Sequence, residues 1–256
     1  MCRLPFLRRF IAAVLLAMPL CLPAWAGDEP TGRQVLERVE NLLWARTLQG
    51  RYEMQIVTPR WQRTLALRVW MDRPKRTFIR IDAPAKEAGI GSLRIGNEMW
   101  NYLPSVERTI KVPPSMMLQP WMGSDFTNDD LVKESSILDD YTHDIADAPP
   151  VDGHPVHRVV ATPRPDAAVV WGRVVYFVRK SDSIPLRQEY FDERGELVRV
   201  MTFTDVREVG GRRLPTRWEM RPVAKAGHAT TVQLMDAVFN APLDDEVFTQ
   251  RHLQRR

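Results

Sequence analysis

From Gln49 onward the chain breaks into short runs that alternate apolar and polar residues, each closed by a turn signal, and this rhythm leaves few folds open. In the first run Tyr52, Met54 and Ile56 fall on one side and Arg51, Glu53 and Gln55 on the other, the period of a strand with one wet face. The next, residues 61–71, carries Leu65, Leu67, Val69 and Met71 on one side, while Ala66 and Trp70 join Thr64 and Arg68 on the other. Both of its faces need cover. Residues 171–178 behave the same way, with Val175 and Phe177 opposing Val174, Tyr176 and Val178. Further runs fall near 76–82, 155–162, 184–192, 196–208, 213–222 and 229–238, divided by turn signals such as Asp192-Glu193-Arg194-Gly195 and Gly210-Gly211. These spacings describe an antiparallel meander. About a dozen strands twist too strongly to stay flat, so the sheet is expected to curl into a barrel or half-barrel.

One helix precedes the strands. Thr31 and Gln34 have capping-box spacing, and Val35, Leu36, Val39, Leu42 and Leu43 recur at helical intervals, predicting an amphipathic helix over about 31–46 whose apolar stripe must pack on the sheet.

Residues 89–145 are the densest stretch. Leu93 and Ile95, Trp100 and Tyr102, and Ile110 and Val112 mark three short strands, with a turn at Pro104-Ser105. The following PPSMMLQPWMGSDF sets Met116, Met117, Leu118, Trp121 and Met122 among three prolines, which excludes a long strand and disfavours a helix interior. Such a segment must cover something, either as a loop capping the core or as a mobile lid over an apolar pocket. Beyond it, Thr127 is placed to cap a helix with Asp129 and Asp130 in the first turn. The rival reading makes Asp125, Asp129 and Asp130 a cation site or docking surface. Residues 148–154 read as an exposed connection between the front and back halves of one sheet.

At the N-terminus, Arg3, Arg8 and Arg9 precede an apolar run from Phe10 to Leu22, and Ala24-Trp25-Ala26 suits a signal peptidase. Residues 1–26 are read as a cleaved secretory signal, leaving residues 27–256 as a single domain. Both cysteines, Cys2 and Cys21, lie in that leader, so the remaining chain has neither disulfide nor thiol nucleophile. Of 36 basic residues the leader removes Arg3, Arg8 and Arg9, leaving 33 against 32 acidic ones, a formal charge of +1. A nucleic-acid partner loses its electrostatic support.

Chemistry is hard to find. His143, His154, His157, His228 and His252 form no HExxH pattern, and the His154/His157 pair brackets Pro155. There is no G-x-S-x-G elbow around Ser92, and Gly89, Gly91 and Gly96 do not open a helix. No cofactor or metal is expected. Large apolar side chains do stand out: Trp61, Trp70, Phe78, Trp100, Tyr102, Met116, Met117, Trp121 and Met122 fall within some sixty residues. Each reads singly as core, yet methionine-rich surfaces also suit variable apolar guests.

The runs GSLRIGNEMWNYLP and MGSDFTNDDL, then FDERGELVRVMTFTDVREVGGRRLPTRWEM and FNAPLDDEVFTQRHL, resemble the outer-membrane lipoprotein-sorting proteins, relatives of the periplasmic carrier LolA. The resemblance covers nearly the whole chain after residue 30. It implies a mainly β fold, an incomplete antiparallel barrel of about 11–12 strands whose concave face is closed by helices. It further implies a periplasmic carrier or chaperone, a monomer and not an enzyme, that transfers lipid or lipoprotein acyl chains between membranes, with an RND-type inner-membrane transporter as a transient partner. Expected cleft and lid residues are Trp70, Phe78, Trp100, Tyr102, Met116, Met117, Trp121 and Met122. Arg73, in the family's strand-end context before Pro74, corresponds to an arginine that latches the covering loops. The alternatives are a non-enzymatic interaction or sensor subunit that binds a partner protein, and a hydrolase with an acid pair assembled in space.

Overall fold

The computed structural model describes residues 29–132, 136–167 and 169–255; the expected leader lies outside them. The first helix, α1 (Gly32–Leu43), opens on the predicted capping box: the Gln34 N–H donates to Thr31 Oγ1 at 3.3 Å and the Thr31 N–H to Gln34 Oε1 at 2.9 Å. It ends earlier than expected because Trp44 turns to extended backbone, its N–H still reaching the Glu40 carbonyl. Val35, Leu36, Val39 and Leu43 are buried along one stripe.

Among the described residues thirteen strands follow. The first six are β1 (Thr47–Val57), β2 (Gln62–Asp72), β3 (Arg76–Ala83), β4 (Gly91–Ile95), β5 (Glu98–Leu103) and β6 (Arg108–Lys111). The others are β7 (Tyr141–Ala146), β8 (Val156–Pro163), β9 (Arg173–Arg179), β10 (Pro185–Phe191), β11 (Leu197–Val209), β12 (Arg212–Pro222) and β13 (Ala229–Phe239). All belong to one sheet in the order β6-β5-β4-β3-β2-β1-β13-β12-β11-β10-β9-β8-β7. Its two edges, β6 and β7, remain unpaired with each other, so the barrel is incomplete. The strand beyond the expected number is β7, whose single buried residue, Tyr141, gives no alternation to read.

The strand order dictates the path of the chain. β1 pairs with both β2 and β13 at the centre. From there the chain runs out to β6, then restarts at the opposite edge with β7 and returns strand by strand. The chain between β6 and β7 must therefore travel from one edge to the other, and its described residues run across the inner face, the one on which α1 packs. This crossing joins the two halves of the sheet. The expectation that residues 148–154 do so is corrected: they connect the neighbouring strands β7 and β8.

On the inner face the two halves carry two apolar clusters. One centres on Leu65, Leu67, Val69, Ile79, Met99 and Trp121, and the other joins α1 to Tyr141, Val159, Val174, Tyr176 and Phe203. Leu42, Trp44 and Trp218 touch both. Gly32 allows the close approach of α1 to β7, since a Cβ there would lie 2.7 Å from the His143 carbonyl oxygen. On the outer face the C-terminal segment, with α3 (Gln250–Leu253), covers a third cluster containing Phe78, Leu93 and Tyr102. Among the described residues, no helix is long and apolar enough to cross a membrane.

Candidate functional site

The crossing segment takes its shape from prolines and tight turns. Pro114–Met116 and Trp121–Gly123 are single 3-10 turns, and the second passes through left-handed backbone at Met122 (φ 50°) and Gly123 (φ 72°). The loop closes on itself when the Trp121 N–H donates to the Phe126 carbonyl at 2.8 Å. Thr127 then caps α2 (Asn128–Val132) as predicted: the Asp130 N–H donates to Thr127 Oγ1 at 3.2 Å, and the Thr127 N–H donates to Asp130 Oδ2 at 2.7 Å.

Four contacts fasten this cover to the sheet. The Trp121 side chain is 1% exposed in the core and its indole N–H donates to Ser92 Oγ at 3.0 Å. Burying an indole is worth about 4–6 kcal/mol of gross apolar stabilisation. Arg63 of β2 donates to the Met122 carbonyl. Asp125 accepts from Thr230 Oγ1 at 2.7 Å while its own N–H donates to that oxygen at 2.9 Å. The fourth is the bidentate pair in which Arg199 of β11 donates to Asp130 at 2.5 and 2.8 Å. The Arg199 guanidinium also stacks 4.4 Å from the Trp171 ring and 4.5 Å from Tyr190. Burial acts to lower the Arg199 pKa, but the charge and hydrogen bonds of Asp130 outweigh it and hold it above its ordinary value.

Between cover, α1 and sheet lies a cavity of about 280 Å³, at the small end of ligand pockets. Its walls combine Tyr52, Met54, Leu67, Val69 and Ile79 from one half with Val174, Tyr176, Met201, Phe203 and Trp218 from the other; Trp44, Trp121, Phe126, Leu131 and Trp171 close it. Within the wall the Tyr190 hydroxyl donates to Gln188 Oε1 at 2.8 Å. Burial pushes the Tyr141, Tyr176 and Tyr190 phenols up, keeping them neutral. Glu40 sits at one end of the cavity, where the Arg73 guanidinium donates to it at 2.7 Å and lies 5.3 Å from the Trp44 ring. Burial raises the Glu40 pKa and Arg73 partly offsets that.

The residues expected at the cleft divide between the faces. Trp121 lines the cavity, and Met117 and Met122 pack against the adjoining core. Met116, half exposed, faces away from that core. Trp70, Phe78, Trp100 and Tyr102 belong to the outer face under the C-terminal segment, so their placement at the cleft is corrected. The cause is parity: Val69 and Met71 point inward, and Trp70 between them pairs across to Phe78, which pairs to Leu93 and on to Trp100. Arg80, on that face, donates to the Gly89, His252 and Leu253 carbonyls and holds α3 down. Arg73 reaches α1 through Glu40. Asp125 and Asp130 bind Thr230 and Arg199 separately, and among the described residues no group of three or more His, Cys, Asp or Glu could hold a metal. Sequence reasoning missed Arg199, Gln188, Tyr190, Trp171 and Trp218; the alternation Arg199, Met201, Phe203 was the available signal.

A family model described as "Uncharacterized protein" matches residues 73–255. No curated protein matches the sequence. Among solved structures, a DUF1329 family protein from Desulfovibrio piger is 21% identical with a TM-score of 0.78, covering 87% of this chain and 97% of its own. An outer membrane lipoprotein-sorting type domain from Vibrio parahaemolyticus is 20% identical, TM-score 0.75, covering 88% and 98%. A LolA superfamily protein from Nitrosomonas europaea is 20% identical, TM-score 0.74, covering 88% and 100%. The chain thus has the LolA-like fold and belongs to the family whose model spans its residues 73–255.

Proposed function

We propose that this chain is a periplasmic carrier, and not an enzyme, which holds the acyl part of a lipid or lipoprotein between the sheet and the crossing segment. The observation that carries this reading is the cavity wall, drawn from both halves of the sheet and mainly apolar. Transfer of an acyl chain into such a site is worth about 0.8 kcal/mol per CH₂, so binding needs no catalytic group. Release needs a cover that opens. The segment from Pro113 to Leu131 makes few regular backbone bonds to the sheet and hangs on side-chain contacts, so opening it breaks those contacts and leaves the strand ladder intact. In the same reading Arg73, through Glu40, latches α1 at the end of the cavity, and an RND-type transporter supplies or accepts the cargo.

Four tryptophans in the wall, Trp44, Trp121, Trp171 and Trp218, provide the test. Fatty acids brominated along the chain quench indole fluorescence on contact. The expected result is saturable quenching that falls when Trp171 and Trp218 are changed to Phe and persists in Trp70→Phe. Quenching that depends on Trp70 or Trp100 instead would put the lipid on the outer face. No quenching at all favours the subunit that binds a partner protein.

A further inference from the structure

A second cleft, of about 530 Å³, adjoins the apolar cavity, and Glu40 and Trp44 line both. It lies at the end of the sheet where β1 and β12 begin and β2 and β13 finish. Arg46 precedes β1, Arg73 follows β2, Arg212 opens β12, and Asn240 follows β13; all four line the cleft. The Arg46 N–H donates to Asn240 Oδ1 at 3.2 Å and the Arg73 N–H to the Arg46 carbonyl at 2.8 Å, so these ends are tied together.

Among the described residues the cleft holds three guanidinium groups, of Arg46, Arg73 and Arg212, and two carboxylates, Glu40 and Asp139. Glu40 is engaged by Arg73. Asp139 is 81% exposed and 3.8 Å from Arg33 outside the cleft. Among the described residues Arg46 and Arg212 make no ion pair. Arg212 donates one nitrogen to the Asn41 carbonyl and stacks 4.9 Å from Phe239, while its Nη1, out of contact with solvent, has no hydrogen-bond partner. Burial alone lowers its pKa, with no carboxylate to offset it. A guanidinium donor left unsatisfied is costly, and a small turn of the Arg212 side chain into the cleft that it lines would offer this donor to an anionic oxygen, the group that satisfies it best.

We propose that this cleft binds the anionic head, phosphate or carboxylate, of an amphiphile whose chain occupies the apolar cavity, with Arg212 and Arg46 as the head-binding residues. The inference rests on the carrier reading and narrows its cargo to anionic amphiphiles. Trp44 and the Arg73–Glu40 pair mark the boundary between head and tail.

The test compares a fluorescent long-chain fatty acid with its methyl ester at pH 8, on the native protein and on Arg212→Gln and Arg46→Gln variants. The native protein is expected to bind the acid about tenfold more tightly. The variants are expected to lose most of that preference while binding the ester unchanged, which also reports that the cavity is intact. If Arg212→Gln loses ester binding and so has misfolded, Arg46→Gln and the native acid-to-ester ratio decide. Equal affinity for acid and ester in the native protein, or an undiminished preference in Arg46→Gln, overturns the head site while leaving the carrier reading standing. Failure of both ligands to bind overturns the carrier reading itself. Inorganic phosphate is titrated in parallel: displacement of the acid only at concentrations far above that of the amphiphile is expected, and binding of phosphate as tight as that of the amphiphile would make this a site for the free anion and overturn the assignment.

Discussion

Arg199 and Trp121 are the residues on which the cover depends most, and Arg199 is the charged one. It is 5% exposed, and removing it leaves Asp130 in place with its charge uncompensated. Arg199→Ala is therefore expected to cost about 3–5 kcal/mol in urea unfolding, whereas Arg199→Leu combined with Asp130→Asn, which removes the charge and keeps an acceptor for the Thr127 N–H, should recover part of that loss. A double variant as unstable as the single one would refute this account of the pair. Trp121→Ala should cost a similar amount, about 3–5 kcal/mol, by emptying a site in the core. Acid sensitivity has a different source. Hydrogen bonds from Arg179, at 2.7 and 2.8 Å, and from Arg213 outweigh burial and hold the Asp182 pKa at about 2. This lies below its unfolded value of about 3.9, so the stabilisation is complete above about pH 4 and is lost as pH falls towards 2. Asp182→Asn should flatten that part of the stability profile. Glu40 has the opposite sign, since its raised pKa favours the folded state as pH falls. At this scale the sequence was partly legible. Thr31, Gln34 and Thr127 announce themselves because caps are local. Arg199 looks like any polar residue in a strand until its partner, 69 positions away, is known.

Among elements, the crossing segment was legible as a cover from its prolines, and its route was not. Only the strand order, which puts β6 and β7 at opposite edges, forces the chain between them to cross from one edge to the other. The same order explains why aromatic density misled. Trp70, Phe78 and Trp100 are neighbours in space, but alternate strand residues face opposite ways, and the C-terminal segment supplies the cover their face demands. Gly91 fits there because a Cβ would lie 2.7 Å from Leu253 Cδ1. Hydrogen exchange should rank these elements: amides of residues 113–131 should exchange faster than those of β1, β2 and β13, and an acyl ligand should slow them selectively. Slow exchange throughout residues 113–131 without ligand would show that the cover does not open.

For the whole molecule, the alternating runs and turn signals of the sequence predict an incomplete antiparallel barrel with a helix on it, and the structure has that form. Twelve of the thirteen strands were legible, and β7 escaped because an edge strand with one buried residue shows no period. The cavity itself was not legible, because its wall is built from both halves of the sheet and from α1, brought together only by closure of the fold. The central claim is that this cavity holds an acyl chain. The most direct test is native mass spectrometry of the protein purified from a Gram-negative periplasm, with organic extraction of whatever it carries and a similarly purified control. The account predicts a bound species bearing an acyl chain and an anionic head, absent from the control. A protein that emerges empty and also fails to take up a fluorescent fatty acid would contradict it.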